Sequence, residues 1–375
     1  MEPFKNLLGP AIVKQAARHL QRAWPAFDAR RFSRLGLDGL ETLEMKARAM
    51  QLCAALEATL PADFDHAADV LEAALAPTPE DVAQPSGDGL GGWTMWPVGE
   101  FVARRGIEHP ERALRVLHAI TQRLTAEWAL RPFIVAHPAL TYQTLARWAQ
   151  DPSPHVRRLV SEGSRPRLPW GLQLKALIAD PSPTLGLLKT LQDDPSDYVR
   201  RSVANHLNDI AKDHPEIVAG WIEDHLPGAP PDRVRLLRHA ARTLIKTGDR
   251  RVLKAFGLGA PLRGSVDFTL APSTLRFGDS LQLNATLSST ARRPQALAVD
   301  YVVHHVKANG GSSPKVFKGW LLELAAGERR VLARRHAVRP ITIRRYHAGL
   351  HRVELWVNGR AEAEASFELV MPPAD

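Results

Sequence analysis

Cysteine is nearly absent. Cys53 is the only one in 375 residues, so no disulfide can close within the chain and cysteine-ligated metal sites are excluded. Such usage fits a reducing compartment, and a cytoplasmic protein is the expectation. No apolar run approaches the ~20 residues that span a bilayer. The first residues, MEPFKNLLGPAIVKQ, lack the basic-then-apolar layout of a secretory signal. Phosphate-binding glycine motifs are also missing: there is no Walker loop, and no GxGxxG follows a strand-like run. His304-His305 lies on an alternating stretch, so its two rings face opposite sides and no metal site is expected. No lysine stands in the carboxylate motifs described below, which removes a lyase nucleophile. No cofactor and no membrane partner is expected.

What is present is an excess of basic charge, formally +9 with a pI near 9.9, on an ordinary 45% hydrophobic content. A basic chain without membrane features most often meets a polyanion, and nucleic acid leads that group.

Residues 11–23, 40–60, 66–76, 98–105 and 111–128 carry apolar residues at helical spacing. Pro77 to Gly92 reads as a long loop, with Trp93 and Trp96 expected to pack beneath it. From Leu140 a repeat becomes explicit. Asp151-Pro-Ser-Pro-His-Val-Arg-Arg-Leu-Val matches Asp194-Pro-Ser-Asp-Tyr-Val-Arg-Arg-Ser-Val, 43 residues on, and Asp180-Pro-Ser-Pro-Thr is a partial copy. Asp-Pro-Ser punctuates between helices, with Asp or Ser capping the next one. Units of this length, two helices each, describe a HEAT-like α-solenoid over residues 1–259. After Gly257 the period changes to two, as in Leu281-Gln-Leu-Asn-Ala-Thr-Leu and Gly349-Leu-His-Arg-Val-Glu-Leu-Trp-Val. This predicts a small immunoglobulin-like β-sandwich over residues 265–371.

Two stretches carry candidate chemistry: Glu127-Trp-Ala-Leu-Arg131-Pro132 and Glu162-Gly-Ser-Arg165-Pro166. Their glutamates lie about one two-helix repeat apart. Proline disfavours helix at the residue before it, so each Arg-Pro reads as a helix end, with the Glu near a helix C-terminus. There a carboxylate opposes the helix dipole, which asks for a reason. The plain reason is a solvated Glu paired with its own Arg. Asp209, in Asn205-His-Leu-Asn-Asp209, reads by itself as a loop or helix-end residue.

With those residues laid out, the chain resembles the AlkC branch of the bacterial HEAT-like-repeat DNA glycosylases. The likeness runs from Glu2-Pro-Phe-Lys-Asn-Leu-Leu-Gly-Pro to about Gly257. It is strongest at Thr125-Ala-Glu-Trp-Ala-Leu-Arg-Pro-Phe-Ile, Ser161-Glu-Gly-Ser-Arg-Pro-Arg-Leu-Pro-Trp and Asp197-Tyr-Val-Arg-Arg-Ser-Val-Ala-Asn-His-Leu-Asn-Asp. Some members carry an immunoglobulin-like C-terminal domain. The resemblance implies metal-free hydrolysis of the N-glycosidic bond of cationic bases, 3-methyladenine and 3-methylcytosine, in duplex DNA during base excision repair. It maps catalytic carboxylates onto Glu127, Glu162 and Asp209 and the lesion-lining aromatic onto Trp170. Trp128 departs from the phenylalanine expected after the first Glu.

The chemistry is consistent with that mapping. Cleavage passes through an oxocarbenium-like sugar, which carboxylates stabilise while orienting a water. Three close carboxylates are expected to raise one another's pKa, and Trp170 offers a π face to a cation. Arg131, Arg157, Arg158, Arg165, Arg167, Arg200, Arg201, Arg238, Arg242 and Lys246 are candidates for phosphate contacts, with some covering an outer face instead. Residues 263–352 hold fifteen Lys/Arg against five Asp/Glu. Arg339, Arg344 and Arg345 in this stretch are expected to clamp DNA, the alternative being a solvated basic face. The partner is double-stranded DNA bearing alkylated bases, bound by a monomer. A non-catalytic HEAT scaffold for nucleic acid or an acidic protein is the competing reading.

Overall fold

The computed structural model describes residues 4–78, 88–341 and 344–372. The expected 77–92 loop falls partly outside them, at residues 79–87. The chain divides into two compact units, Met1–Asp213 and His214–Asp375.

In the first unit, α1 (Pro10–Ala23), α2 (Ala29–Leu37), α3 (Met45–Glu57), α4 (Phe64–Ala74), α5 (Met95–Arg105) and α6 (Pro110–Thr121) are followed by α7 (Glu127–Ala136), α8 (Pro138–Trp148), α9 (Pro154–Gly163), α10 (Lys175–Ala179), α11 (Ser182–Leu191) and α12 (Asp197–Ile210). Contacts run in layers. In one layer α3, α5, α7, α9 and α12 pack in succession, each on the one before; in the other α4 packs on α6 and α8 on α11. This is the stacking of a helical repeat, in which each unit buries its apolar stripe against its neighbours. On α9 the stripe is Val156, Leu159, Val160 and Gly163, all buried, at the i, i+3, i+4, i+7 spacing of one helix face.

The repeated Asp-Pro-Ser motif acts differently from the expected cap. Neither Ser153 nor Ser196 makes a side-chain cap bond. Instead Asp151 Oδ1 accepts from the Ser153 N–H at 2.8 Å and Asp194 Oδ1 from the Ser196 N–H at 2.8 Å, a turn formed just before each helix. The first arginine of each Val-Arg-Arg then closes that turn. Arg157 Nη1 donates to the Asp151 and Pro152 carbonyls at 2.8 and 2.9 Å, and Arg200 Nη1 to those of Asp194 and Pro195 at 2.6 and 2.9 Å. Arg157 also holds both Asp194 oxygens, at 2.6 and 2.9 Å, tying one repeat to the next. Arg157 and Arg200, predicted to contact phosphate, are therefore structural staples, because their donors are committed to loop carbonyls and a carboxylate.

A second correction concerns the 111–128 helix. α6 stops at Thr121 and Glu127 opens α7, with Pro132 inside it. Glu127 thus lies at the favourable, positive end of a helix dipole. Of the two glutamates only Glu162, the penultimate residue of α9, faces the unfavourable end, as does Asp209, penultimate in α12.

The second unit begins with α13 (Pro215–His225), α14 (Pro231–Ala240), α15 (Arg242–Thr247) and α16 (Arg250–Ala255). It continues into β1 (Gly264–Ala271), β2 (Thr274–Arg276), β3 (Ser280–Ser289), β4 (Gln295–Val306), β5 (Ser312–Leu324), β6 (Arg329–Ala337), β7 (Gly349–Val357) and β8 (Arg360–Val370). Two sheets, ordered β1-β3-β6 and β2-β8-β7-β4-β5, form a sandwich that is antiparallel except where β2 runs parallel to β8. Alternate residues Leu281, Leu283, Ala285 and Leu287 of β3 enter the core beside Val353, Leu355, Phe367 and Leu369. β4 bulges at Val299/Asp300. Gly319 is required opposite it, since a Cβ there would lie 2.3 Å from the Val299 carbonyl oxygen.

Five imidazoles are buried among the described residues, and burial lowers His19 among them. Burial lowers His206 to about 4, His305 to about 3 and His336 to about 4, and also lowers His351. The folded state therefore keeps them neutral while the unfolded chain takes up protons below about 6.5. Their contribution is complete above that pH and is lost as pH falls towards 4, by up to about 1.4 kcal/mol per pH unit per group. Thermal midpoints should be level from pH 8 to 7 and fall steadily from 6.5 to 4.5; a level profile to pH 4.5 would contradict the neutral assignment.

Candidate active site

The three predicted carboxylates come together on successive helices of one layer: Glu127 on α7, Glu162 on α9 and Asp209 on α12. Close packing of α7 and α9 depends on Gly163, where a Cβ would lie 2.6 Å from Leu130 Cδ2. All three acids are buried, at 8%, 5% and 1% exposure. Burial of like charge at this density demands partners, and two arginines interleave. Arg158 donates to Glu127 Oε2 and lies 3.5 Å from Glu162 Oε1. Arg165 donates to Glu162 Oε1 at 2.5 Å and to Asp209 Oδ2 at 2.8 Å. Lys212 closes the row on Asp209 Oδ1 at 2.7 Å. Neutral donors complete it: Thr125 Oγ1 to Glu127 at 2.8 Å and Ser202 Oγ to Glu162 Oε2 at 2.7 Å.

At Glu162 this row overturns the expectation that the acids raise one another. Burial opposes ionisation of Glu162, but Arg158, Arg165 and the Ser202 hydroxyl outweigh it and hold the carboxyl below its usual value. Arg165 is 7% exposed and belongs to this row; it is not a phosphate contact. His206, fully buried beside the row, donates from Nδ1 to the Ser161 carbonyl at 2.9 Å.

Arg131 is also corrected. It is 0% exposed, and its guanidinium donates to the carbonyls of Gly163 at 2.9 Å, Arg165 at 2.8 Å, Pro166 at 3.4 Å and Leu172. This anchor explains why α7 continues through Arg131-Pro132 against the proline bias. Desolvation lowers its pKa to about 10, so it remains charged at neutral pH. What it pins is the 163–172 segment that carries Trp170.

Trp170 is 61% exposed and has φ of 62°, in the left-handed region. That conformation costs roughly 1–3 kcal/mol and persists only where the surroundings impose it. Arg131 imposes it from below, and Trp128 Nε1 donates to the neighbouring Pro169 carbonyl at 3.2 Å. Trp128 thus helps to seat the loop. The Trp170 ring lies parallel to that of Trp96, 3° apart in plane with centroids at 6.2 Å, and 6.2 Å from Phe4. Trp96 stacks on Trp128 at 4.4 Å, and Trp93 meets Phe4 edge-on at 4.9 Å. Trp93 and Trp96 therefore form, with Phe4 and Trp128, an aromatic wall beside Trp170, a role the sequence reading missed.

The other basic candidates divide. Arg201 is exposed and pairs with Asp197 at 3.1 Å. Arg167 is held by Asp213 through two 2.8 Å bonds. In the second unit, the Arg238 guanidinium lies over the Phe256 ring at 5.5 Å. Arg242 Nη1 donates to the His239 carbonyl at 2.9 Å. Lys246 is depressed by burial and by Lys315 and Lys318 nearby. Arg339 and Arg345 are exposed, but Arg344 turns inward and donates to His305 Nε2 at 2.5 Å. Among the described residues no group of three or more His, Cys, Asp or Glu could hold a metal ion. No described helix is long and apolar enough to cross a membrane.

Comparison with known proteins adds three findings. Residues 123–243 match a family model described as a DNA alkylation repair enzyme, and residues 265–371 match that of the YhaZ C-terminal Ig-like domain. Uncharacterized protein YhaZ of Bacillus subtilis (strain 168) is 33% identical over 371 residues, 98% of this chain and 100% of that protein. The structure of Pseudomonas fluorescens alkylpurine DNA glycosylase AlkC bound to DNA containing an abasic site analog superposes with a TM-score of 0.90 at 35% identity, covering 98% of this chain and 100% of that one.

The pinned loop makes a prediction. Arg131→Met leaves four carbonyls without their donor and should cost about 2–4 kcal/mol in denaturant unfolding. The salt slope of binding to undamaged DNA should stay unchanged, since no phosphate contact is lost. A shallower slope with unchanged stability would return Arg131 to the DNA surface.

Proposed function

As a member of the AlkC-type family of DNA alkylation repair enzymes with an immunoglobulin-like C-terminal domain, the chain is one that we propose to be a DNA glycosylase for cationic N-alkylated bases, 3-methyladenine and 3-methylcytosine, in duplex DNA. The observation that carries this reading is the buried row of arginine-paired carboxylates, with an exposed tryptophan in a left-handed conformation on the loop that also carries Arg165. An N3-alkylated base already bears positive charge, which weakens its bond to the sugar. Cleavage sends the bonding electron pair to the base and leaves an oxocarbenium-like sugar, which the carboxylates stabilise. Water then bonds to the sugar C1′ and gives up a proton, for which Glu127, Glu162 or Asp209 is the acceptor. Trp170 offers a ring face to the cationic base, worth roughly 0.5–2 kcal/mol. The lysine of the row, Lys212, is ion-paired to Asp209 Oδ1 at 2.7 Å and is given no nucleophilic role, so the proposed reaction ends at hydrolysis. In this proposal the chain acts as a cytoplasmic monomer.

The domain assignment is part of the proposal. Residues 1–259 bind and cut, while residues 265–371 supply phosphate contacts through Arg339 and Arg345.

The paired acids also fit a structural network in a non-catalytic scaffold, and mutation separates the readings. Glu162→Gln and Asp209→Asn should each lower release of methylated bases by at least about tenfold, with binding to undamaged duplex hardly changed. Wild-type release by both variants would leave the scaffold reading. Arg339→Ala with Arg345→Ala should weaken duplex binding and reduce the log–log salt slope by up to about 1.8, roughly 0.9 for each phosphate contact. An unchanged slope and affinity would make these residues ordinary surface.

A further inference from the structure

We infer that Arg158 is a positioning residue for the excision reaction: wedged between Glu127 and Glu162 and covered by the Tyr198 ring, it sets the spacing of the two glutamates. The inference rests on the glycosylase reading of the site. Arg158 springs from α9 one turn before Glu162, and its side chain is 14% exposed. One terminal nitrogen serves Glu127 Oε2 and Thr125 Oγ1, the latter at 2.7 Å; the other lies 3.5 Å from Glu162 Oε1. From α12, the Tyr198 ring covers the guanidinium at 5.1 Å. Three helices are therefore joined at one side chain. With its donors on two acids and a hydroxyl and its face under a ring, Arg158 is shaped for orientation within the site and not for a phosphate outside it.

The spacing matters because Glu127 and Glu162 stand on different helices. Without a cation between them, two buried carboxylates repel and one takes up a proton. The planar fork of arginine fixes distance and angle together; a lysine supplies charge at one point only. The other charged groups facing this pair are Arg131 from α7, Arg165 from the loop after α9, and Tyr198, His206 and Asp209 from α12. Arg201 faces Tyr198, and Lys212 neutralises Asp209. α6, α8 and α11 also pack on α9. Of their charged groups, Arg112 and His118 pair elsewhere, with Asp69 and Glu72 and with Asp151. Arg147 donates to Thr144, and Lys189 is exposed. Arg158 is thus the cation between Glu127 and Glu162, as Arg165 is between Glu162 and Asp209.

The test compares wild type with Arg158→Met and Arg158→Lys on methylated duplex DNA, scoring single-turnover excision from pH 5 to 9. Arg158→Met should lose about tenfold or more in rate at neutral pH. The acid limb of its profile should move upward by about one pH unit as a glutamate becomes easier to protonate. Arg158→Lys should keep the acid limb of wild type yet remain slower, since charge is restored and geometry is not. A methionine variant that excises at the wild-type rate, or merely melts lower with the limb unmoved, overturns the inference. So does one whose only change is weaker, less salt-dependent binding of undamaged duplex, which would make Arg158 a phosphate contact. If the methionine variant does not fold, the lysine variant decides, and a wild-type rate there overturns the role. If wild type releases no base, the glycosylase reading has failed on its own. Carbon-13 titration of the glutamate carboxyls then still reads the wedge: a raised Glu127 or Glu162 midpoint in a variant supports it, and unchanged midpoints end it.

Discussion

Burying negative charge in a stack of helices is the constraint on which the rest of this site depends. Three carboxylates with 8% exposure or less cannot stay ionised without partners inside the same low-dielectric space. The chain meets that need by alternation, acid and guanidinium in turn from Glu127 to Asp209. The three acids lie on α7, α9 and α12, with Arg158 sharing α9 with Glu162 and Arg165 on the loop after it, so the charge pattern also fixes the order and spacing of these helices. Removing one cation from such a row leaves the neighbouring acids exposed to one another, which couples stability and chemistry at the same residues.

The same economy of parts appears in the backbone. Arg131 spends its guanidinium on carbonyls of the 163–172 segment, and that segment holds Trp170 in a left-handed conformation. A buried cation thereby supports an exposed aromatic ring across one loop. Gly163 allows the helices to approach, Arg165 bridges two acids, and the carbonyls of Gly163, Arg165 and Pro166 receive Arg131. In Glu162-Gly-Ser-Arg-Pro nearly every residue therefore has a separate mechanical task, and Ser164 caps the turn by donating to the Val160 carbonyl at 2.6 Å.

The helical stack and the sandwich were legible because periodicity is local: 3.6 before Gly257 and 2 after it. Glu127 and Glu162 stood out because acids near Arg-Pro in an apolar run are out of place, whereas Asp209 was named only through the family resemblance. What remained hidden was the destination of each arginine. Arg158 and Arg201 are the second arginines of near-identical Val-Arg-Arg strings, yet one is wedged between Glu127 and Glu162 while the other is solvent-exposed. A position on a helix does not say which face meets a partner distant in sequence. The boundary at Glu127 was misplaced for a related reason: the proline bias is weak and short-ranged, and a buried guanidinium with four acceptors overrides it. The aromatic wall was missed because Phe4, the Trp93–Trp96 pair and Trp128 come to Trp170 from three separate segments.

The paired row also changes how selectivity for a cationic base must arise under the proposed function. Three mutually repelling acids would attract any cation by relief of repulsion, and a fraction would be protonated at neutral pH. An alternating row has little net charge, so its long-range pull is small. Its fixed charges act at short range, where a positive centre replaces water beside a carboxylate oxygen that is already oriented. Discrimination then resides in geometry. A neutral base brings no charge to this arrangement, while a cationic one finds carboxylates already paired and oriented by their arginines. Such a site spends none of the lesion's binding energy on deprotonating or reorienting its own groups, provided that the cations between the acids stay in place while the bond to the sugar breaks.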